Sequence, residues 1–93
     1  MIGMLELVKT KEFEKDLKSL NKKHYDFSKL FLVLELIRKQ QPLPSKYKNH
    51  YLKGSLQGYQ ELHVEKDILL IYKIIDDKLL LSRLGTHNDL LGK

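Results

Sequence analysis

The chain has 93 residues, no cysteine, and seventeen lysines and arginines against twelve acids, for a net charge of +5. That length supports one core and hence a single domain over 1–93, and without cysteine there is neither a disulfide framework nor a thiolate metal site. The basic balance points to a polyanionic partner. No run approaches the roughly 18 apolar residues of a membrane span, and Met1 to Thr10 lacks the apolar stretch and cleavage site of a secretory signal. The expectation is a soluble cytoplasmic protein that engages no membrane.

Leu5 to Val8 is short and partly alternating, and reads as a first strand. Thr10 offers an N-cap, with Glu12 and Glu14 in the first turn, where the helix dipole favours acids. Phe13, Leu17 and Leu20 form the apolar stripe of that first helix. Lys11, Lys15, Lys18 and Lys22 form another stripe, either a solvated face or a set of phosphate contacts. Asp26 can cap a second helix that starts near Phe27 and stops near Gln41, ahead of Pro42. Leu30, Leu34 and Ile37 make its core stripe, broadened by Phe31, Val33 and Leu36, so it should be the more buried helix. His24, in the break between the helices, reads as surface.

Pro42 to Tyr51 is a connector with His50 near its end. Tyr59 to Glu65 alternates as a strand, with Tyr59, Glu61 and His63 on one face and Leu62 and Val64 on the other. Ile68 to Ile75 is nearly all apolar and suits a central strand. Asp76-Asp77 makes a turn, and Leu79 to Leu84 is the last strand. The element order gives an α+β fold: an N-terminal strand and two helices packed on an antiparallel sheet. Simple loops at Lys66-Asp67 and Asp76-Asp77 would align His63, Leu70 and Arg83 in one row. Leu62, Val64, Leu69, Ile71, Leu80 and Leu84 would then face the helices, together with Lys73 and Ser82, which fit that face poorly.

The chemistry these residues could share is cleavage of RNA by its own 2′-hydroxyl. That reaction needs a base, an acid and positive charge on the transition state. Histidine suits the proton steps because it titrates near neutrality, and a fixed arginine or lysine supplies the charge. His50, His63, His87, Asp67 and Arg83 contain these parts, and Lys53 and Lys66 add charge. Fifteen of the cations are lysine, so the arginines Arg38 and Arg83 stand out as bidentate phosphate clamps. Each residue also has a structural role open to it: His63 as a surface or hydrogen-bonding residue, Asp67 as a turn cap, Arg83 as the partner of Glu61. The histidines lack a His-x-x-x-His pair, and no phosphate-cradling loop or dinucleotide fingerprint occurs, so neither a metal nor a cofactor is assigned.

Four segments carry a family pattern. They are Pro42-Leu43-Pro44-x-x-Tyr47-Lys48-x-His50-x-Leu52-x-Gly54, Gly58-Tyr59-x-Glu61-x-His63-Val64-x-x-Asp67, Leu70-Ile71-Tyr72 and Arg83-x-Gly85-Thr86-His87. Together they resemble YafQ-type toxins of the RelE/ParE superfamily over essentially the whole chain. The resemblance implies a RelE-like fold and the toxin half of a type II toxin–antitoxin pair, cutting messenger RNA in the ribosomal A site. It implies His50, His63, Asp67 and His87 as catalytic residues, Arg83 near the scissile phosphate, and the lysine-rich first helix against ribosomal RNA. Its expected partner is an acidic-tailed antitoxin, commonly of ribbon-helix-helix type, through which alone the toxin meets DNA. Three positions depart from the pattern: Gln60 stands where arginine is usual, and Ile68 and Leu91 where an aromatic residue is common. The alternatives are a non-catalytic module that keeps the antitoxin and operator-complex roles, and a basic RNA-binding protein. The histidine set argues against the superfamily branch that binds gyrase.

Overall fold

A computed structural model of the protein describes residues 3–92. After β1 (Glu6–Lys9), the Thr10 hydroxyl accepts from the Phe13 amide at 3.0 Å and caps α1 (Lys11–Lys22), as its position predicts. The same hydroxyl donates to the Ser82 carbonyl at 2.8 Å, so the cap also ties the helix start to the sheet. α1 ends in a left-handed turn at the exposed His24 (φ 60°), where the Tyr25 amide reaches back to the Leu20 carbonyl. α2 (Ser28–Arg38) ends the same way at Gln40 (φ 55°), with the Gln41 amide on the Leu36 carbonyl. This wrapped end, and not Pro42 alone, stops the helix at Arg38, short of the Gln41 expected. Asp26 accepts from the Ser28 amide at 2.9 Å, but from outside the cap position, which Phe27 holds.

β2 (His50–Tyr51), β3 (Gln60–Glu65), β4 (Ile68–Ile75) and β5 (Lys78–Gly85) join β1 in one five-stranded sheet of order β1-β5-β4-β3-β2. The α+β class and the order of the expected elements hold, with the pairing of the first strand as a correction and β2 and a short C-terminal helix as additions. β1 lies parallel to β5 while every other pair is antiparallel. A parallel pair needs a long crossover, and the whole chain between these two strands provides it. β2 adds a short strand where a connector was expected.

Register is where the expectation fails. β3 carries an extra residue at Val64 and β5 one at Ser82, and each bulge reverses the alternation beyond it. The row His63–Leu70–Arg83 therefore does not form: His63 lies opposite Leu69, and Arg83 opposite Ile71. Leu62, Leu70, Tyr72, Leu79, Leu81 and Leu84 pack with Phe13 and Leu20 of α1 and Leu30, Val33, Leu34 and Ile37 of α2. Leu69, Ile71 and Leu80, expected under the helices, lie on the opposite face. Lys73 pairs with Leu80 there, and Ser82 is the bulge residue, which removes both misfits from the core.

α2 is less covered than its composition implies, since Phe31 and Leu32 are each 62% exposed. α3 (His87–Leu91) folds back on β5 at Gly85, where an added Cβ would lie 3.4 Å from the Leu90 side chain. That contact sets α3 on the sheet face away from the main helices. No helix among the described residues is long and apolar enough to cross a membrane.

Candidate active site

The two bulges assemble two adjacent rows on the open face. Pairing places His50 opposite Glu61, Glu61 opposite Ile71, and Ile71 opposite Arg83. In the next row His63 lies opposite Leu69, and Leu69 opposite Gly85. The chain then turns at Thr86, whose hydroxyl accepts from the Asp89 amide at 3.1 Å and starts α3, making His87 its first residue. His63, Lys66, Asp67 and His87 consequently line one hollow of about 430 Å³, with Leu69 among its walls. Asp67 reaches it from the β3–β4 turn and His87 from the start of α3. A half-open hollow of that size accommodates a nucleotide-sized group.

His50 sits one strand further out, in β2. Its Nδ1 lies 2.8 Å from the Lys48 carbonyl, and a carbonyl only accepts, so Nδ1 carries a proton. Lys48 makes that contact from a left-handed conformation (φ 50°). The nitrogen left free is therefore Nε2, which lies 3.5 Å from Glu61 Oε1. Upstream of His50, Tyr72 donates to Asn49, and the Asn49 amide donates to Gln60 Oε1 at 2.8 Å. Gln60, the departure from arginine, thus anchors the segment that carries His50 from the helix side of the sheet. Burial raises the Tyr72 phenol to about 12.

Arg83 is half-exposed and turns to α1 instead of Glu61. Its Nε donates to Asp16 Oδ2 at 2.8 Å and its Nη2 to Asp16 Oδ1 at 3.2 Å. The Asp16 hydrogen bond raises the guanidinium pKa further, which leaves the cation fixed in charge and place. Lys53 lines a separate hollow beside Tyr51 and Gly58, away from the histidines. Lys11, Lys15, Lys18 and Lys22 are exposed along α1, and among the described residues none of them enters an ion pair. Ile68 belongs to the core and cannot meet a base, while Leu91 is half-buried in α3.

Two residues not selected from sequence belong to this arrangement. Glu61 is 5% exposed and its Oε2 has no hydrogen-bond partner; its signal was the strand face that it shares with His63. Asp16 announced itself as an acid on the apolar stripe of α1, between Phe13 and Leu20. Among the described residues no three histidine, aspartate or glutamate side chains form a group that could hold a metal ion.

Residues 5–92 match the family described as the bacterial toxin of type II toxin–antitoxin system, YafQ. The chain is 46% identical over 82 residues to the mRNA interferase toxin YafQ of Escherichia coli, covering 87% of this chain and 89% of that protein. Its fold superposes on a copper-bound mutant toxin from Helicobacter pylori with a TM-score of 0.90, at 39% identity, over 94% of this chain and 99% of that one. It superposes likewise on the E. coli DinJ–YafQ toxin–antitoxin complex, with a TM-score of 0.86 and 40% identity over 96% of this chain and 99% of the matched chain.

Proposed function

The chain belongs to the YafQ family of bacterial type II toxins, and from that premise we propose that it is an mRNA interferase, an endoribonuclease that cuts messenger RNA on the ribosome and so halts translation in the cytoplasm. The observation that carries this reading is the meeting of His63, Asp67 and His87 around one hollow with Lys66 beside them. In the proposed step the 2′-oxygen attacks the adjacent phosphorus and the bond from phosphorus to the 5′-oxygen breaks. A basic group takes the 2′-hydroxyl proton and an acidic group returns one to the 5′-oxygen, leaving a 2′,3′-cyclic phosphate and a 5′-hydroxyl. His50, His63, Asp67 and His87 share these transfers as a coupled set. Arg83 and Lys66 stabilise charge on the phosphorane-like transition state.

These side chains are the proton donors and acceptors of the proposed step. Lys53 and the α1 lysines serve as outlying phosphate contacts, the latter toward ribosomal RNA. The partner that restrains this activity is an acidic-tailed antitoxin of ribbon-helix-helix type, a reading supported by the DinJ–YafQ complex; DNA is met only through it. Primer extension on translating ribosomes tests the proposal. In-frame cuts by the wild-type protein that vanish in His87→Ala are expected, and no cuts from well-folded wild type would overturn it.

A further inference from the structure

Beside the reaction hollow lies a second one, of about 600 Å³, between α2, the Ser45–Tyr47 turn and the end of β3. The two share His63 and Lys66, so they adjoin at these residues. Lys29, Lys46, Lys48 and Lys66 rim it. The acid in its lining is Glu65, and Glu65 is already engaged: the Tyr25 hydroxyl donates to it and Lys29 Nζ lies 3.6 Å away. Lys46 is held with its Nζ 5.2 Å from the Tyr47 ring centroid, and Tyr47 is itself buried. Lys48 takes the left-handed turn whose carbonyl meets His50, so the residue that orients one catalytic imidazole also places an ammonium at this rim.

An RNA strand longer than one nucleotide must leave the reaction hollow in some direction, and a lysine-rimmed exit that begins at a catalytic histidine matches its charge. Resting on the nuclease reading above, we infer that this groove holds the RNA strand flanking the scissile phosphate, with Lys29, Lys46, Lys48 and Lys66 on successive phosphates. Tyr47 is buried and Leu32 is the exposed apolar wall, so the groove holds the backbone by charge and offers no aromatic platform to a base. It should accordingly be indifferent to sequence.

The test is binding of a short 2′-O-methyl RNA, which lacks the attacking hydroxyl and cannot be cut, followed by fluorescence anisotropy across a salt series. Lys46→Gln/Lys48→Gln is compared with the charge-matched control Lys39→Gln/Lys78→Gln on other surfaces. Each single-strand phosphate contact contributes about 0.7 to the salt slope, so the groove variant should lose about 1.4 from the slope and bind roughly tenfold more weakly at low salt. The control should keep the wild-type slope. Equal slopes in the two variants, with wild type still cutting messenger RNA, would overturn the groove alone. Unchanged RNA binding with a loss of antitoxin affinity would assign the groove to the protein partner and also overturn it. Wild type that neither binds nor cuts RNA would remove the nuclease reading and the groove with it.

Discussion

Asp16 holds Arg83 from a different element and from round the edge of the sheet. β5 pairs with β1 only as far as Leu81, and beyond the bulge at Ser82 its free edge is met by the Asp16 carboxylate. That group accepts from the Leu84 amide at 2.8 Å as well as from two guanidinium nitrogens. One side chain therefore closes the strand edge and aims the cation. Asp16→Ala should cost roughly 1–2 kcal/mol of stability, at the low end of a charged hydrogen-bonded pair because Arg83 is partly solvated. It should also lower cleavage about tenfold, as an unpinned arginine no longer meets the phosphate in a fixed pose. A double-mutant cycle with Arg83→Ala, read by urea denaturation and single-turnover cleavage, checks both. Additive losses would mean that Asp16 acts only on the strand edge.

His63 and His87 reach the hollow from different elements, and His87 is exposed. Replacing either by alanine should lower single-turnover cleavage by a factor of about 10² to 10⁴, the range of general acid–base catalysis. His87→Ala should leave stability within about 0.5 kcal/mol, as for most surface substitutions. Thermal denaturation beside the cleavage assay separates the two effects, and a large loss of stability in His87→Ala would mark a structural role instead.

How much of this was legible in the sequence depends on how local the signal is. The Thr10 cap, the apolar stripe of α1 and the span of β4 are written in neighbouring residues, and the structure has them where they were read. The bulges at Val64 and Ser82 are not, because an extra residue in one strand is defined only by its partner strand. Their trace was the misfit of Lys73 and Ser82 on a supposed core face. Turning that face outward while keeping Leu62 and Leu84 in the core requires the register shifts, one of which sets Arg83 opposite Ile71. The end of α2 was missed for a related reason: Gln40 adopts a left-handed turn without glycine, so no residue type announced it. The candidate histidines and Asp67 were legible as residue types, whereas Asp16 and Glu61 left only positional traces, an acid on an apolar helix stripe and one on the face of His63, whose partners packing alone supplied.

Tyr72 should make the protein sensitive to alkali. Its phenol is raised to about 12 by burial. Below the ordinary tyrosine value near 10 both folded and unfolded forms are neutral, and the contribution is fully present. Between about 10 and 12 the unfolded chain ionises first, so stability falls by on the order of 2 kcal/mol as pH rises through that window. Burial and Glu65 push Tyr25 in the same direction. Tyr72→Phe should cost about 1 kcal/mol at neutral pH through the lost hydrogen bonds, and should flatten the alkaline slope by one proton. Urea midpoints measured from neutral pH to about pH 12 would show this, and an unchanged slope would refute it.

Glu61 should trade stability for activity. A buried carboxylate with an unpartnered Oε2, and with Oε1 at 3.5 Å from His50 Nε2, is poorly compensated for its desolvation. Such a group persists where its charge serves the chemistry. Here its Oε1 faces the free nitrogen of an imidazole whose other nitrogen is committed to the Lys48 carbonyl, so the carboxylate can hold the ring in place. Glu61→Gln keeps the shape and removes the charge. It should stabilise the fold by about 1 kcal/mol while slowing cleavage about tenfold. Thermal denaturation and single-turnover rates measure the two together. A less stable variant that cuts at the wild-type rate would make Glu61 a structural residue and leave His50 to act without it.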